Sequence, residues 1–502
     1  MVEPALLTMS STRRLWRRWR WLLLIVVPIL ILALIYAAEL TFLQWQADRR
    51  YLAAAAELDR VDPGWRLDDL LAHRQAVPDD VNSALRLRDV ANALPPSWPG
   101  TAVYDSYFPG YKRAAAPGPE QLVEIRAKLT ALADAVARAR SLADMPRGRY
   151  DWDRPTITRY QQVPGRNAYT SDPPIYPDDV RRVCHLLQLD VIDRIDRGDI
   201  EGALIAARAI LNAGGSVGDY PTVYAQGARS GMTMLAVRIV EQILQRGEAT
   251  DQSLAAFQAL LEDEARQPRS WIAIRGERAV TDEFFEKIRA GTLGPEAIPG
   301  WGEMPLWGRP MINRSSLRDN QTNLLRMHTQ LMQVAALPVE RQADASKSLL
   351  EVMNKEWSED RYWERLRRTP ETQTLGGGLW GQTDSVVQAY TRTAIVALAC
   401  ERYRLAHGRW PDRLEQLVPE FLPRVPADPF ASGALKLRRF PHAIFVYSVG
   451  WDRHDDGGSI DEEWRAREGA DQGFRLWDED HRPPPAKAAT TATELGSEHS
   501  EH

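Results

Sequence analysis

The chain has 502 residues, long enough for two or more domains with cores of their own. A hydrophobic share of 44% and a charged share of 26% are ordinary for a globular protein. The net charge of −5, with no basic stripe beyond the first 20 residues, argues against nucleic acid as a partner.

Residues 21–38 carry no charge, and Glu39 ends the run. At about 1.5 Å per residue these 18 residues give roughly 27 Å of helix, close to the hydrocarbon thickness of a bilayer. Pro28 lies inside the run, where a transmembrane helix tolerates it. Arg13, Arg14, Arg17, Arg18 and Arg20 precede it with no acid among them, whereas Glu39, Asp48, Arg49 and Arg50 on the other side nearly cancel. Loop arginines stay in the cytoplasm, so the reading is a single-pass signal-anchor with residues 1–20 cytoplasmic, 21–40 spanning the bilayer, and the bulk extracytoplasmic. The lipid bilayer is thus the first expected partner, and the expected location is a bacterial cytoplasmic (inner) membrane facing the periplasm. A cleaved signal peptide is the competing reading. Its apolar core is shorter, and Ile35 or Tyr36 falls where the cleavage site needs a small residue.

Past the membrane, residues 44–60 continue as an alanine-rich helix until Asp62, Pro63 and Gly64 stop it. Residues 67–71 and 81–94 are short helical candidates, and 95–119 form an irregular connection rich in proline and glycine. Leu122, Ile125, Leu129, Leu132 and Val136 recur at three- and four-residue spacing, which predicts one helix over 120–143. Residues 147–177 show no period. Amphipathic helices are predicted over 180–197, 200–213, 221–246 and 253–266, with short links that make consecutive helices antiparallel neighbours. Ala203, Leu204, Ala207 and Leu211 give this stretch a weakly tetratricopeptide-like look without a strict 34-residue period. Further helices are expected over 270–290 and 317–337, separated by a loop over 291–310 rich in glycine, proline and tryptophan. Gly376, Gly377 and Gly378 read as a joint before a last unit, and residues 481–502 read as a disordered tail. The fold class is mainly α: one transmembrane helix, an irregular helical body over 41–370, and a small α+β module over 384–480.

That module is read as a helix over 386–406, with Gly408 as its cap and Pro411 preventing continuation. A short helix follows over 414–418. Pro419, Pro423, Pro426 and Pro429 then impose an extended path, and strands follow over 435–438, 444–448 and 474–477. The residues that carry a resemblance are Ala394 to Leu398, Tyr403, His407 to Pro411 and Leu414 to Leu417. They continue through Phe421-Leu422, Val425 to Phe430 and Tyr447 to Gly450, with an acidic loop behind. This ordered set resembles the globular head of the major pseudopilin of type II secretion systems, over roughly 80 residues. The whole chain is similar to a group of membrane-anchored bacterial envelope proteins, a likeness that implies a location and no activity.

The resemblance implies that the acidic loop holds a calcium ion that stabilises the fold, with Asp452, Asp455, Asp456 and Asp461 as carboxylate ligands and Ser448 nearby. Gly457 and Gly458 let the backbone turn tightly around an ion. The bland reading of the same residues is a solvated hairpin loop. Arginine and tryptophan precede the apolar run where pseudopilins carry a leader and a glutamate, so assembly into a filament is not expected.

No catalytic constellation is expected. Gly214-Gly215-Ser216-Val217-Gly218 matches the nucleophile-elbow pattern, but a helix precedes it where that motif needs a strand. Cys184 and His185 are adjacent on a helix and point apart, and Cys184 and Cys400 both sit in apolar helical pattern, which predicts core roles. The functional expectation is a non-enzymatic envelope scaffold whose helical body contacts other envelope proteins. An accessory component of a type II secretion or pilus-like system, and an envelope enzyme with an unrecognised site, are the alternatives.

Overall fold

The computed structural model describes residues 9–98, 117–151, 156–159, 169–172, 178–294, 297–298, 313–359, 378–459 and 471–482. Thirteen α-helices and five strands lie within them. The helices are α1 (Met9–Val61), α2 (Leu67–Ala72), α3 (Ser83–Ala93), α4 (Pro119–Ala131), α5 (Ala133–Arg140), α6 (Asp178–Asp196) and α7 (Ile200–Gly215). They continue as α8 (Val223–Leu244), α9 (Asp251–Arg266), α10 (Arg269–Arg289), α11 (Arg314–Ala335), α12 (Val339–Glu359) and α13 (Gly378–His407). The strands are β1 (Thr156–Arg159), β2 (Tyr169–Asp172), β3 (Lys436–Phe440), β4 (Ala443–Ser448) and β5 (Gln472–Trp477).

Two compact units divide the chain, and they do not follow the expected boundaries at 41–370 and 384–480. The first comprises Met1–Pro63, Phe285–Arg326 and Asp360–Gln373; the second comprises Gly64–Phe284, Met327–Glu359 and Thr374–His502. In the first, α1 runs unbroken for 53 residues, about 80 Å. Its apolar stretch has a mean hydropathy of 2.3 over 18 residues, none of them buried, so it is long and apolar enough to cross a membrane. Farther along the same helix the chemistry changes. Arg318 of α11 donates to Asp48 at 2.9 Å and lies 3.9 Å from the Tyr51 ring, and it also binds Glu286. Arg289 pairs with Asp48 at 3.4 Å, and Arg50 pairs with Asp319 at 2.8 Å.

In the second unit, side-chain caps start the helices: Asn82 for α3, Asp199 for α7, Thr222 for α8 and Thr250 for α9. Consecutive helices α6, α7 and α8 pack against one another across short links, as their amphipathic pattern predicts. The helix expected over 120–143 is broken. Leu132 leaves the helical region with φ −113°, and α4, α5 and a 3-10 turn at Ser141–Asp144 replace it. The apolar spacing runs through the break because α5 resumes almost in phase. Within the stretch 147–177, which has no period, β1 and β2 pair antiparallel from Thr156↔Asp172 to Arg159↔Tyr169, a hairpin too short to show alternation. Helix α12 was likewise not anticipated; its apolar residues are sparse among Lys, Glu and Asp.

The C-terminal elements follow the expected order: a long helix, a 3-10 turn at Leu414–Leu417, and an antiparallel meander β3-β4-β5. They do not keep a core to themselves. Val387, Tyr390, Ile395, Leu398, Val446, Phe474 and Leu476 belong to one apolar cluster with Leu87, Leu186, Leu204, Val237 and Phe257. Helix α13 packs on α8, α9 and α12 as well as on β4 and β5. A helix apolar on nearly all sides is buried from all sides. Cross-strand pairs Ser448↔Gln472, Val446↔Phe474 and Ile444↔Leu476 face α13, while Ala443, Phe445 and Tyr447 pack with Phe440 and Trp477 on the other face.

Candidate functional site

The acidic loop leaves the end of β4, and the residues before it fix its root. Asp428, in the Asp428-Pro429-Phe430 segment, is fully buried and accepts three hydrogen bonds: from Phe430 N at 2.8 Å, Ser448 Oγ at 2.6 Å and Val449 N at 3.0 Å. Ser448, expected near the metal, is therefore committed to Asp428, and its Oγ also accepts from Gly450 N at 3.2 Å. The loop then turns through four residues at positive φ, namely Gly450, Arg453, Gly457 and Gly458. Gly457 and Gly458 hold φ of 70° and 80°, a backbone conformation that favours glycine.

Of the four expected calcium ligands, the three among the described residues take different partners. Asp452 folds back on its own turn and accepts from His454 N at 3.0 Å. Asp455 is drawn to the sheet: it pairs with Lys436 at 3.1 Å and accepts from Tyr447 Oη at 3.1 Å and Gly457 N at 3.0 Å. Burial and the Asp455 charge push the Tyr447 phenol up to about 12, so it remains a donor. Asp456 points inward, and its Oδ2 is buried with no hydrogen-bond partner among the described residues. Asp461 lies outside the described residues.

Sequence reading missed Asp471, which the structure brings under the loop. It is 1% exposed and accepts from Gly458 N at 2.6 Å and from Asp456 N at 3.4 Å. Burial raises its carboxyl above the ordinary aspartate range; the two N–H groups oppose the rise, and the Asp455 and Asp456 charges add to it. The signal available in the sequence was its place immediately before β5, a strand edge reached only once β4 and β5 pair.

Among the described residues, the loop carboxylates do not gather three ligand atoms within 4.8 Å, whereas His442, Asp478 and His481 do. His442 occupies the two-residue turn between β3 and β4, and Asp478 and His481 follow β5. No pairing of two histidines was visible in the sequence, because residues 442 and 481 meet only through the sheet register.

The decoys resolve as the helical pattern implied. Ser216 caps the end of α7, fully buried, with Oγ donating to Ala213 O at 2.6 Å, so it is no exposed nucleophile. Both cysteines are free and buried, and burial pushes both thiols well up, away from the reactive thiolate. The His185 ring lies 5.2 Å from that of Trp98, tilted by 49°, and burial pulls its imidazole down to about 4. A polar cavity of about 210 Å³ is lined by Gln267, Trp271, Gln342, Asp384, Gln388 and Arg392. Gln342 donates to Ala335 O and Leu337 O, while its Oε1 is buried without a partner among the described residues.

No family model, no curated protein and no solved structure matches this chain.

Proposed function

We propose that this chain is a non-enzymatic scaffold of the bacterial envelope, tethered by α1 with its N-terminus cytoplasmic and its bulk outside. One observation carries the reading. Leu24, Ile29, Leu30, Leu32, Leu34, Ile35 and Tyr36 are each more than half exposed on a helix whose 18-residue window has none of its area buried. Exposed apolar surface on that scale needs lipid. The arginines ahead of it and the balanced charges behind it set the orientation. Beyond the bilayer, the amide-lined cavity beside Trp271 is the surface of the helical body offered to envelope protein partners.

Labelling of thiols tests the topology, and the buried native cysteines keep the background low. Ser11→Cys and Gln252→Cys place one thiol before the apolar stretch and one on an exposed position of α9. In intact spheroplasts, a membrane-impermeant maleimide should label Gln252→Cys and reach Ser11→Cys only after lysis. The reverse pattern sinks the orientation. A chain shortened by about 40 residues and found in the soluble fraction sinks the anchor.

Two carboxylates at the root of the acidic loop support the calcium expected from the pseudopilin likeness. Asp456, with its buried oxygen unpartnered among the described residues, and Asp471, with its raised carboxyl, are carboxylates that suit a hard cation together with loop carbonyls. Asp452 and Asp455 are already engaged by protein groups. When bound, calcium would set a positive charge beside Asp456 and Asp471 and tie the loop to the start of β5.

A further inference from the structure

We propose that His442, Asp478 and His481 bind a transition-metal ion of the zinc class. Each residue offers one ligand atom, and those atoms all lie within 4.8 Å of one another. Imidazole nitrogens with one carboxylate oxygen are donors that suit zinc, copper and nickel and disfavour calcium, so this site and the acidic loop select different ions.

The fold presents these donors together. The last pair of the β4–β5 ladder is Ala443↔Trp477, and it sets His442 and Asp478 side by side at the end of the sheet. The main chain continues the ladder one step further, with Asp478 N donating to His442 O at 2.9 Å. A single 3-10 turn, Glu479–His481, then returns His481 over His442. The two imidazoles stack with centroids 3.5 Å apart and planes 20° from parallel. Trp410, itself only 2% exposed, donates its indole N–H to Asp478 Oδ1 at 2.6 Å and so orients the carboxylate. A ligand carboxylate held by an outer hydrogen bond is the usual arrangement at a metal.

The surroundings also favour a cation. Glu479 and Asp480 lie exposed within the same turn. Arg404 bonds Glu401 and Glu248 and reaches Glu479 only at 3.8 Å, and Arg482 bonds Glu401 at 2.8 Å and Gly247 O at 2.9 Å. A zinc ion needs its ligands about 2.0–2.2 Å away. Both imidazoles are exposed, so the rings rotate from stacked to convergent without disturbing the core. Three protein ligands leave one position of a tetrahedral ion open to water or to a further ligand. The bound ion joins the β3–β4 turn to the chain leaving β5.

The test uses the tag-free full chain in detergent, stripped of metal and titrated with zinc by calorimetry and with cobalt(II) by absorbance. One equivalent of cobalt should bind with the intense ligand-field bands of a four-coordinate ion, and excess calcium should not displace it. His442→Ala with His481→Ala should abolish binding while leaving the metal-free unfolding midpoint and circular dichroism unchanged, since both side chains are exposed. Trp410→Phe should weaken zinc by roughly tenfold through Asp478 alone. His499→Ala with His502→Ala, at the far end of the chain, should change nothing. The proposal fails if no metal binds, if the 442/481 variant keeps its equivalent, or if the 499/502 variant loses it.

Discussion

Two sets of buried carboxylates in the second compact unit are handled in opposite ways. In the helical core, Glu264 is met by Arg229 at 2.7 Å and Arg269 at 2.8 Å, and Glu401 is met by Arg404 and Arg482. At the loop end of the sheet, Asp471 is as deeply buried, yet backbone N–H groups are its only hydrogen-bond partners among the described residues. Burial alone would raise Glu264, but the two arginines hold it down to about 2; no arginine or lysine among the described residues bonds Asp471, whose carboxyl burial raises. The comparison teaches that the helical core carries its own countercharge, whereas among the described residues the Asp471 carboxylate is held by backbone N–H groups alone.

The harshest way to break the comparison is to remove the countercharged acid. Glu264→Gln takes the charged partner from buried Arg229 and leaves Arg269 only Asp384 at 3.5 Å, and should cost about 3–5 kcal/mol, read as a lower unfolding midpoint of the full chain in detergent. Asp471→Asn, at equal burial, should cost nothing or stabilise when calcium is absent, because it removes a carboxylate facing Asp455 and Asp456. Equal losses would show that burial alone matters. The pH profile sharpens the same point. Glu264, depressed from 4.5 to about 2, contributes stability in full above pH 4.5 and loses it as the pH falls toward 2. His185, depressed from 6.5 to about 4, binds fewer protons folded than unfolded, so its share is lost between pH 6.5 and 4. Glu264→Gln should therefore keep the upper part of the acid slope and flatten the lower part.

Calcium is the next largest effect. At a hundred times its dissociation constant it should add about 2.7 kcal/mol, measured as a rise in the unfolding midpoint over a chelator control. Asp456→Asn and Asp471→Asn should remove the rise, and Asp452→Asn, whose carboxylate serves His454 N, should keep it. A rise that depends on Asp452 and not on Asp471 would restore the ligand set expected from the loop sequence.

That contrast also marks what the sequence could carry. Helices α6 to α10, α13 and the three strands of the meander were legible because their apolar period or alternation survives in a single window. So were the buried cysteines and the capped helix end at Ser216. The break at Leu132 was not, since α5 keeps the phase of α4. The β1–β2 hairpin was too short to show a pattern. The shared core escaped for a different reason: the joint at Gly376 to Gly378 looks like a boundary, but α13 is apolar all round and buries itself among α8, α9 and α12. Asp428 lies in the run Val425 to Phe430 that carries the resemblance, yet its work at the root of the loop appears only when Ser448 and Val449 arrive. Asp471 and the 442–478–481 group depend wholly on strand pairing, which one sequence does not fix.

The smallest effect belongs to the loop residue that looks best paired. Asp455 holds Lys436, Tyr447 and its own turn, and those bonds keep its carboxyl below the ordinary range although burial opposes them. Both members of the ion pair are more than 40% exposed, so solvent screens the attraction. Asp455→Asn keeps an oxygen for Gly457 N and Tyr447 Oη and loses only the charge, at a cost below about 1 kcal/mol. It also removes one of the two negative charges that raise Asp471, so the Asp471 carboxyl should titrate lower in the variant, read by carboxyl-carbon NMR. A titration unmoved by Asp455→Asn would mean that burial alone raises Asp471, and the case for a cation at this corner would then rest on Asp456 Oδ2.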